Sequence, residues 1–138
     1  IVLHDRRIPG SRANIDHLVI GATGVWVIET KNWQGEIRLR GGDLYVGGRR
    51  RTSVIDQVDR QCEAVLGELG EDVPIFAVVC IHKATFPLVR RTVVRGVEIV
   101  RPANLAARLM DGNVELESDE IRELTSRADR RLRPAVRN

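Results

Sequence analysis

Three residues in the first quarter of the chain have the types and spacing for phosphoryl chemistry. Asp16 lies in the apolar run Ile15–Ile20, and Glu29 and Lys31 follow the apolar run Val25–Ile28, with Gly21-Ala22-Thr23-Gly24 between. Runs rich in Val and Ile and broken by glycines read as a β-hairpin. A two-residue loop at Ala22-Thr23 makes opposite residues sum to 45, so Ile20 faces Val25, Leu18 faces Val27 and Asp16 faces Glu29. Opposite residues of an antiparallel pair share a face, and residues two apart on one strand do so as well. Asp16, Glu29 and Lys31 are therefore expected to converge at one end of the hairpin. A three-residue loop would slip the register and turn Asp16 away.

Two carboxylates about 4 Å apart repel by about 1 kcal/mol in water, and by about 4 at an effective dielectric of 20. Such a pair needs a compensating cation, either Lys31 or a metal. Two carboxylate oxygens suit a hard ion such as Mg²⁺ or Mn²⁺, which keeps waters and substrate phosphate oxygens as further ligands. The metal candidates are Asp16, Glu29 and the backbone carbonyl of Thr30. Lys31 beside the ion would position the attacking water and offset charge in the transition state. The competing reading is a structural ion cluster at a sheet end.

The elements that must position these groups follow from the pattern. Ile1–His4 reads as a strand, Asn32-Trp33-Gln34-Gly35 as a turn, Glu36–Arg40 as a strand with one wet face, and Gly41-Gly42-Asp43 as a tight turn into the strand Leu44–Val46. Gly47-Gly48-Arg49-Arg50-Arg51 reads as a glycine-hinged basic loop. A helix is expected from Val54 to about Leu69, capped by Thr52 or Ser53 and stopped at Gly70. Its apolar side is Val54, Val58, Cys62, Val65, Leu66 and Leu69, with Gln57 and Gln61 at the edge of that face. Ile75–Ile81 is apolar on both faces and belongs in a sheet covered on both sides, with His82–Thr85 as a loop after it. Strands at Val93-Val94 and Val97–Val100, a helix from Pro102 to Met110 and a last helix from Ser118 to about Leu132 complete a compact α/β domain around a mixed sheet.

Composition bounds the partners. The chain has 138 residues, 43% of them hydrophobic, and carries 22 Lys+Arg against 19 Asp+Glu. No apolar run is long enough to cross a membrane. Twenty of the basic residues are arginines, so Lys31 is one of only two lysines. Arg49, Arg50 and Arg51, Arg90-Arg91 with Arg95, and Asn32 are candidate nucleic-acid contacts, of the kind that gives salt-dependent, sequence-independent binding. Cys62 and Cys80 form no metal-binding pattern and read as free thiols of a cytoplasmic protein. His17 alternates to the face opposite Asp16 and reads as a surface or packing residue, as Trp33 reads as packing over the hairpin end. The chain starts at Ile1 without Met and reads as a piece of a longer protein.

Asp, twelve residues, then Glu-x-Lys across a hairpin resembles the core signature of the PD-(D/E)XK nuclease superfamily, with Ile15 in place of its proline. Ile15-Asp16-His17, then Gly24-Val25-Trp26-Val27-Ile28-Glu29-Thr30-Lys31-Asn32-Trp33-Gln34-Gly35, together with Val2-Leu3-His4-Asp5 and the Gln57 helix, resembles more narrowly the nuclease-related domain (NERD) family. That resemblance covers roughly residues 1 to 105. It implies a restriction-endonuclease-like fold, with a mixed β-sheet flanked by helices, that lacks the usual first helix and its acidic residue. It also implies a Mg²⁺- or Mn²⁺-dependent nuclease acting on DNA. Asp16, Glu29, Lys31 and Gln57 form its catalytic set in a single domain spanning 1–138, and a homodimer would suit two-strand cutting. The alternative is a catalytically inactive nucleic-acid- or protein-binding module on the same fold.

Overall fold

The computed structural model describes residues 1–88 and 91–135. Among them the order is β1 (Val2–Arg7), β2 (Asn14–Gly21), β3 (Gly24–Arg40), β4 (Asp43–Val46), β5 (Arg49–Arg50), α1 (Ser53–Leu69), β6 (Ile75–Thr85), β7 (Thr92–Val94), β8 (Val97–Val100), α2 (Pro102–Met110) and α3 (Ser118–Arg131). The main sheet runs β1-β2-β3-β6-β8-β7. β4 pairs with the far half of β3, and β5 pairs with β4. β6 is parallel to both β3 and β8, and the other pairs are antiparallel. The sheet is therefore mixed and open, as the α/β reading requires. No helix among the described residues is long and apolar enough to cross a membrane.

The hairpin register is the expected one. Gly21 pairs with Gly24, Ile20 with Val25, Leu18 with Val27 and His17 with Ile28. A two-residue loop leaves no slack for a slip, and Leu18, Ile20, Val25 and Val27 are all fully buried. They belong to the larger core cluster, with Val54, Val58, Val65 and Leu69 of α1 and Leu124 and Ala128 of α3. The opposite face carries a smaller cluster of Trp26, Ile28, Val78 and Cys80, covered by Leu105 and Leu109 of α2. β6 thus sends Val79 and Ile81 one way and Val78 and Cys80 the other, which explains its unbroken apolar run.

Several expectations need correction. The segment Asn32–Gly35 is not a turn but part of one long β3. Pairing with β6 carries the strand through its polar residues, and the cost is a register shift between Asn32 and Gly35. His82–Thr85 is strand rather than loop, because β3 runs on far enough to pair with Ala84 and Thr85. Arg49 and Arg50 are not in a loop but form β5 against Tyr45 and Val46. Thr52 is the N-cap of α1 by position, yet its hydroxyl makes no cap bond. It accepts from Leu44 N–H (3.0 Å) and donates to Asp43 Oδ1 (3.2 Å). The last helix is capped by Glu117 rather than Ser118, through a reciprocal capping box with Glu120.

One backbone crossing makes a stability prediction. Gly35 has φ +116°, and a Cβ there would lie 2.4 Å from Gly47 Cα. Two segments of backbone touch at this point, so no flexible side chain can yield. Gly35→Ala should destabilise the fold by about 2–4 kcal/mol, from left-handed strain plus overpacking. Urea unfolding monitored by circular dichroism measures the shift in midpoint.

Candidate functional site

The site lies where the hairpin comes apart. β2 and β3 pair as far as His17 and Ile28. The next hydrogen-bonded pair in that alternation would be Thr30 with Ile15, but the Asp16 side chain takes the position instead. Its Oδ2 accepts from the Thr30 backbone N–H at 3.1 Å. Along β1 the pairs run His4↔His17 and then Arg6↔Ile15, and Asp5, which lies between them, has φ +49°. Ile15 joins the same core as Leu18 and Ile20, so strict alternation breaks at Asp16. The carboxylate is thereby freed from the pleat and reaches across toward β3.

Glu29 continues the row of Val25 and Val27 and is 4% exposed. A buried carboxylate must be hydrogen-bonded or paired, and Glu29 is both. Gln57 Nε2 donates to its Oε1 at 3.2 Å, Gln61 Nε2 donates to its Oε2 at 3.2 Å, and Lys31 Nζ lies 3.4 Å from Oε1. The two carboxylates are thus satisfied separately. Asp16 rests on a backbone donor, and Glu29 rests on an ammonium and two amides.

The donor set fits a hard cation. A carboxylate offers about four lone-pair sites, and Glu29 uses three of them. Asp16 has one oxygen on Thr30 and no ion-pair partner among the described residues. The Thr30 carbonyl, on the same side of the strand as its N–H, faces the gap that β2 has left. No group of three or more His, Cys, Asp or Glu suited to a metal occurs among the described residues. Asp16, Glu29 and the Thr30 carbonyl would offer two carboxylates and a carbonyl, the kind of partial set that suits an ion keeping water and phosphate oxygens as further ligands.

α1 supplies the amides. Gln57 and Gln61 are one turn apart on its inner face, where Val54, Ile55, Val58, Val65 and Leu69 are also buried. Hydrophobic periodicity places Gln61 at the edge of that face and Cys62 within it. The observed helix is rotated from that phase, with Gln61 buried and Cys62 half-buried. The spacing 54-58-61-65-69 is the available signal, since a core stripe with one polar member marks a side chain with a buried partner. Neither thiol is a nucleophile of this site. Both cysteines are free; burial pushes the Cys62 thiol up to about 12 and raises that of Cys80.

The other candidate contacts are dispersed. Trp33 packs against the core with the Arg51 guanidinium 4.4 Å from its ring centroid and Lys31 Nζ at 5.8 Å. Arg51 thus stands beside the Lys31 side of the site. Arg50 is tied to Asp43 at 3.1 Å, as is Arg95. The Arg50 hydrogen bond, more than the opposing effect of burial, keeps the Asp43 carboxyl below its ordinary range. Arg91 pairs with Glu98, and Arg90 lies outside the described residues. Arg49 and Asn32 are exposed. His17 meets His4, with Nδ1 to Nδ1 at 2.7 Å, and takes no part.

No curated protein and no solved structure matches the chain. A family model, the nuclease-related domain, matches residues 1–82, short of the roughly 105 residues of the sequence resemblance. Asp16, Glu29, Thr30, Lys31, Gln57 and Gln61 all fall inside that span, whereas β7, β8, α2 and α3 lie beyond it. With more than half its length matched and an open mixed sheet between helices, the chain belongs to the nuclease-related domain (NERD) family and has the restriction-endonuclease-like fold of the PD-(D/E)XK nucleases.

Proposed function

We propose that this chain is a metal-dependent nuclease domain that hydrolyses DNA phosphodiester bonds at the open end of the β2–β3 hairpin. The observation that carries the reading is the placement of Asp16 against Thr30, next to a buried Glu29 held by Lys31, Gln57 and Gln61. Asp16, Glu29 and the Thr30 carbonyl would hold Mg²⁺ or Mn²⁺, which supplies Lewis acidity toward the phosphate and a water of lowered pKa. Lys31, with its side chain 29% exposed, faces both the carboxylate and solvent. It holds the attacking water in line and offsets the charge that develops on the phosphoryl oxygens. Gln57 keeps Glu29 turned toward Lys31 and offers its amide to a water or phosphate oxygen. Arg51 over Trp33, the exposed Arg49 and Asn32 contact the DNA backbone, while Arg50 contributes less because Asp43 already neutralises it.

Residues 1–138 act in this reading as one nuclease-like unit, in a reducing compartment such as the cytoplasm that suits its two free thiols. Pairing of two copies would present two sites to a duplex. The test is supercoiled plasmid incubated with Mg²⁺ or Mn²⁺. Nicked and linear products that disappear with chelator are expected, and intact plasmid at micromolar protein would contradict the reading. One observation favours a second reading, a binding module without catalysis. Glu29 is fully compensated by groups of the chain itself and needs no metal to be stable where it is. That module would shift DNA in a gel at low salt and leave it uncut.

A further inference from the structure

Gln61 ties the two strands together at the point where they separate. Beyond His17↔Ile28 the gap between β2 and β3 is spanned by side chains. One bond runs from the Thr30 N–H to Asp16, and the other connection runs through Gln61. Gln61 Nε2 donates to the Asn14 carbonyl on β2 and to Glu29 Oε2 on β3, each at 3.2 Å. Gln61 is 1% exposed, and its own oxygen, Oε1, is buried with no partner. Turning the amide over would set that oxygen against the Glu29 carboxylate and the Asn14 carbonyl, three acceptors together. The orientation is therefore dictated by the two groups it bridges. An apolar side chain here would avoid the unfilled acceptor, as the neighbouring Val58 and Val65 do on the same face.

We propose that Gln61 is a positioning residue of the Asp16–Glu29 site, fixing the setting of Glu29 relative to the strand that carries Asp16. The inference rests on the metal-site reading above. The two glutamines divide the carboxylate between them. Gln61 anchors Oε2 from the interior, and Oε1 is left to the half-buried Gln57 and the partly exposed Lys31. With Oε2 fastened and the Asn14 carbonyl held by the same nitrogen, one amide couples the setting of Glu29 to the strand that carries Asp16. Without that anchor Glu29 keeps its Oε1 contacts with Gln57 and Lys31 but loses its tie to the strand that carries Asp16, and the pair closes less well on one ion.

The test uses Q61M, which keeps the shape and removes both the bridge and the orphan oxygen. Mn²⁺ affinity by calorimetry, thermal melting, and kcat and KM for plasmid cleavage are compared with wild type. Melting lower by several degrees is expected, because Glu29 Oε2 and the Asn14 carbonyl each lose a donor, with Mn²⁺ binding weaker by about 10–100-fold, the range for groups that orient metal ligands. kcat should fall while KM for DNA stays within about twofold. Q61L, which also removes the bridge but has a different shape, is the second variant, and the split between kcat and KM is the readout that a packing role would not move. Should Q61M fail to fold, the same measurements on Q61L decide. Wild-type Mn²⁺ affinity and kcat in Q61M, or in Q61L where Q61M does not fold, overturns the inference. An absence of Mn²⁺ binding in wild type itself marks failure of the metal reading instead.

Discussion

Glu29→Gln should abolish divalent-metal binding and lower DNA cleavage by on the order of 10³-fold or more, while the protein stays folded. The substitution changes no volume, and Glu29 is buried with a donor on each oxygen. One glutamine oxygen can still accept from Gln57 or Gln61, but the new amide nitrogen faces another donor. The local cost is about 1–3 kcal/mol for the lost charge-assisted bond. Lys31 loses its partner and turns to solvent, which its partial exposure permits. Glu29→Ala is expected to be worse for the fold. It takes the carboxylate from the buried Gln61 amide, the half-buried Gln57 amide and the Lys31 ammonium, a change of the kind that costs about 3–5 kcal/mol. Calorimetry with Mn²⁺ and a thermal melt on the same sample separate the two effects. A Glu29→Gln protein that binds metal and cuts like wild type would remove Glu29 from the site.

Lys31→Met should divide binding from chemistry in the opposite sense. The ammonium sits 3.4 Å from Glu29 Oε1, where it competes with an incoming cation for the same oxygen. At about 4 Å two unit charges interact by about 4 kcal/mol at an effective dielectric of 20, so removing this one should leave Mn²⁺ affinity unchanged or several-fold tighter. Cleavage should nevertheless fall by about 10²–10³-fold, because the developing phosphoryl charge and the attacking water lose their positive partner. Single-turnover rates at saturating Mn²⁺ are the measurement. Equal losses of metal affinity and rate would make Lys31 a structural prop rather than a group that meets the substrate. Its stacking near Trp33, beside Arg51, is retained in part by the methionine stem and limits any change in fold.

These effects can be anticipated because the hairpin is legible in residue order. A Gly-Ala-Thr-Gly loop admits a two-residue turn, and the turn fixes every pair up to His17↔Ile28. The apolar faces of β2, β3 and β6 and the extent of α2 follow from periodicity in the same way. What stays hidden depends on partners distant in sequence. Asn32–Gly35 and His82–Thr85 are polar and turn-like taken singly, yet they pair with each other across β3 and β6 and so become strand. Arg49 and Arg50 are strand only because β4 lies alongside. The break at Asp16 likewise arises from tertiary demands, since Ile15 and Leu18 both enter one core and the two residues between them cannot keep strict alternation. Gln61 escapes a sequence reading for a different reason. Hydrophobicity alone sets a helix phase that favours Cys62, whereas the buried Glu29 carboxylate draws a polar side chain into the core stripe.

The two carboxylates at the open hairpin end either share a divalent ion or form a self-contained ion cluster. Titrating Mn²⁺ into the wild-type chain and into Asp16→Asn decides between them. The amide oxygen of that variant can still accept the Thr30 N–H, so the fold and the strand separation are preserved while one anionic ligand is lost. A saturable site in wild type, weakened about tenfold or more in the variant in line with loss of a coordinating charge, is the expected result. The absence of a site in wild type, or equal affinity in both proteins, would contradict it.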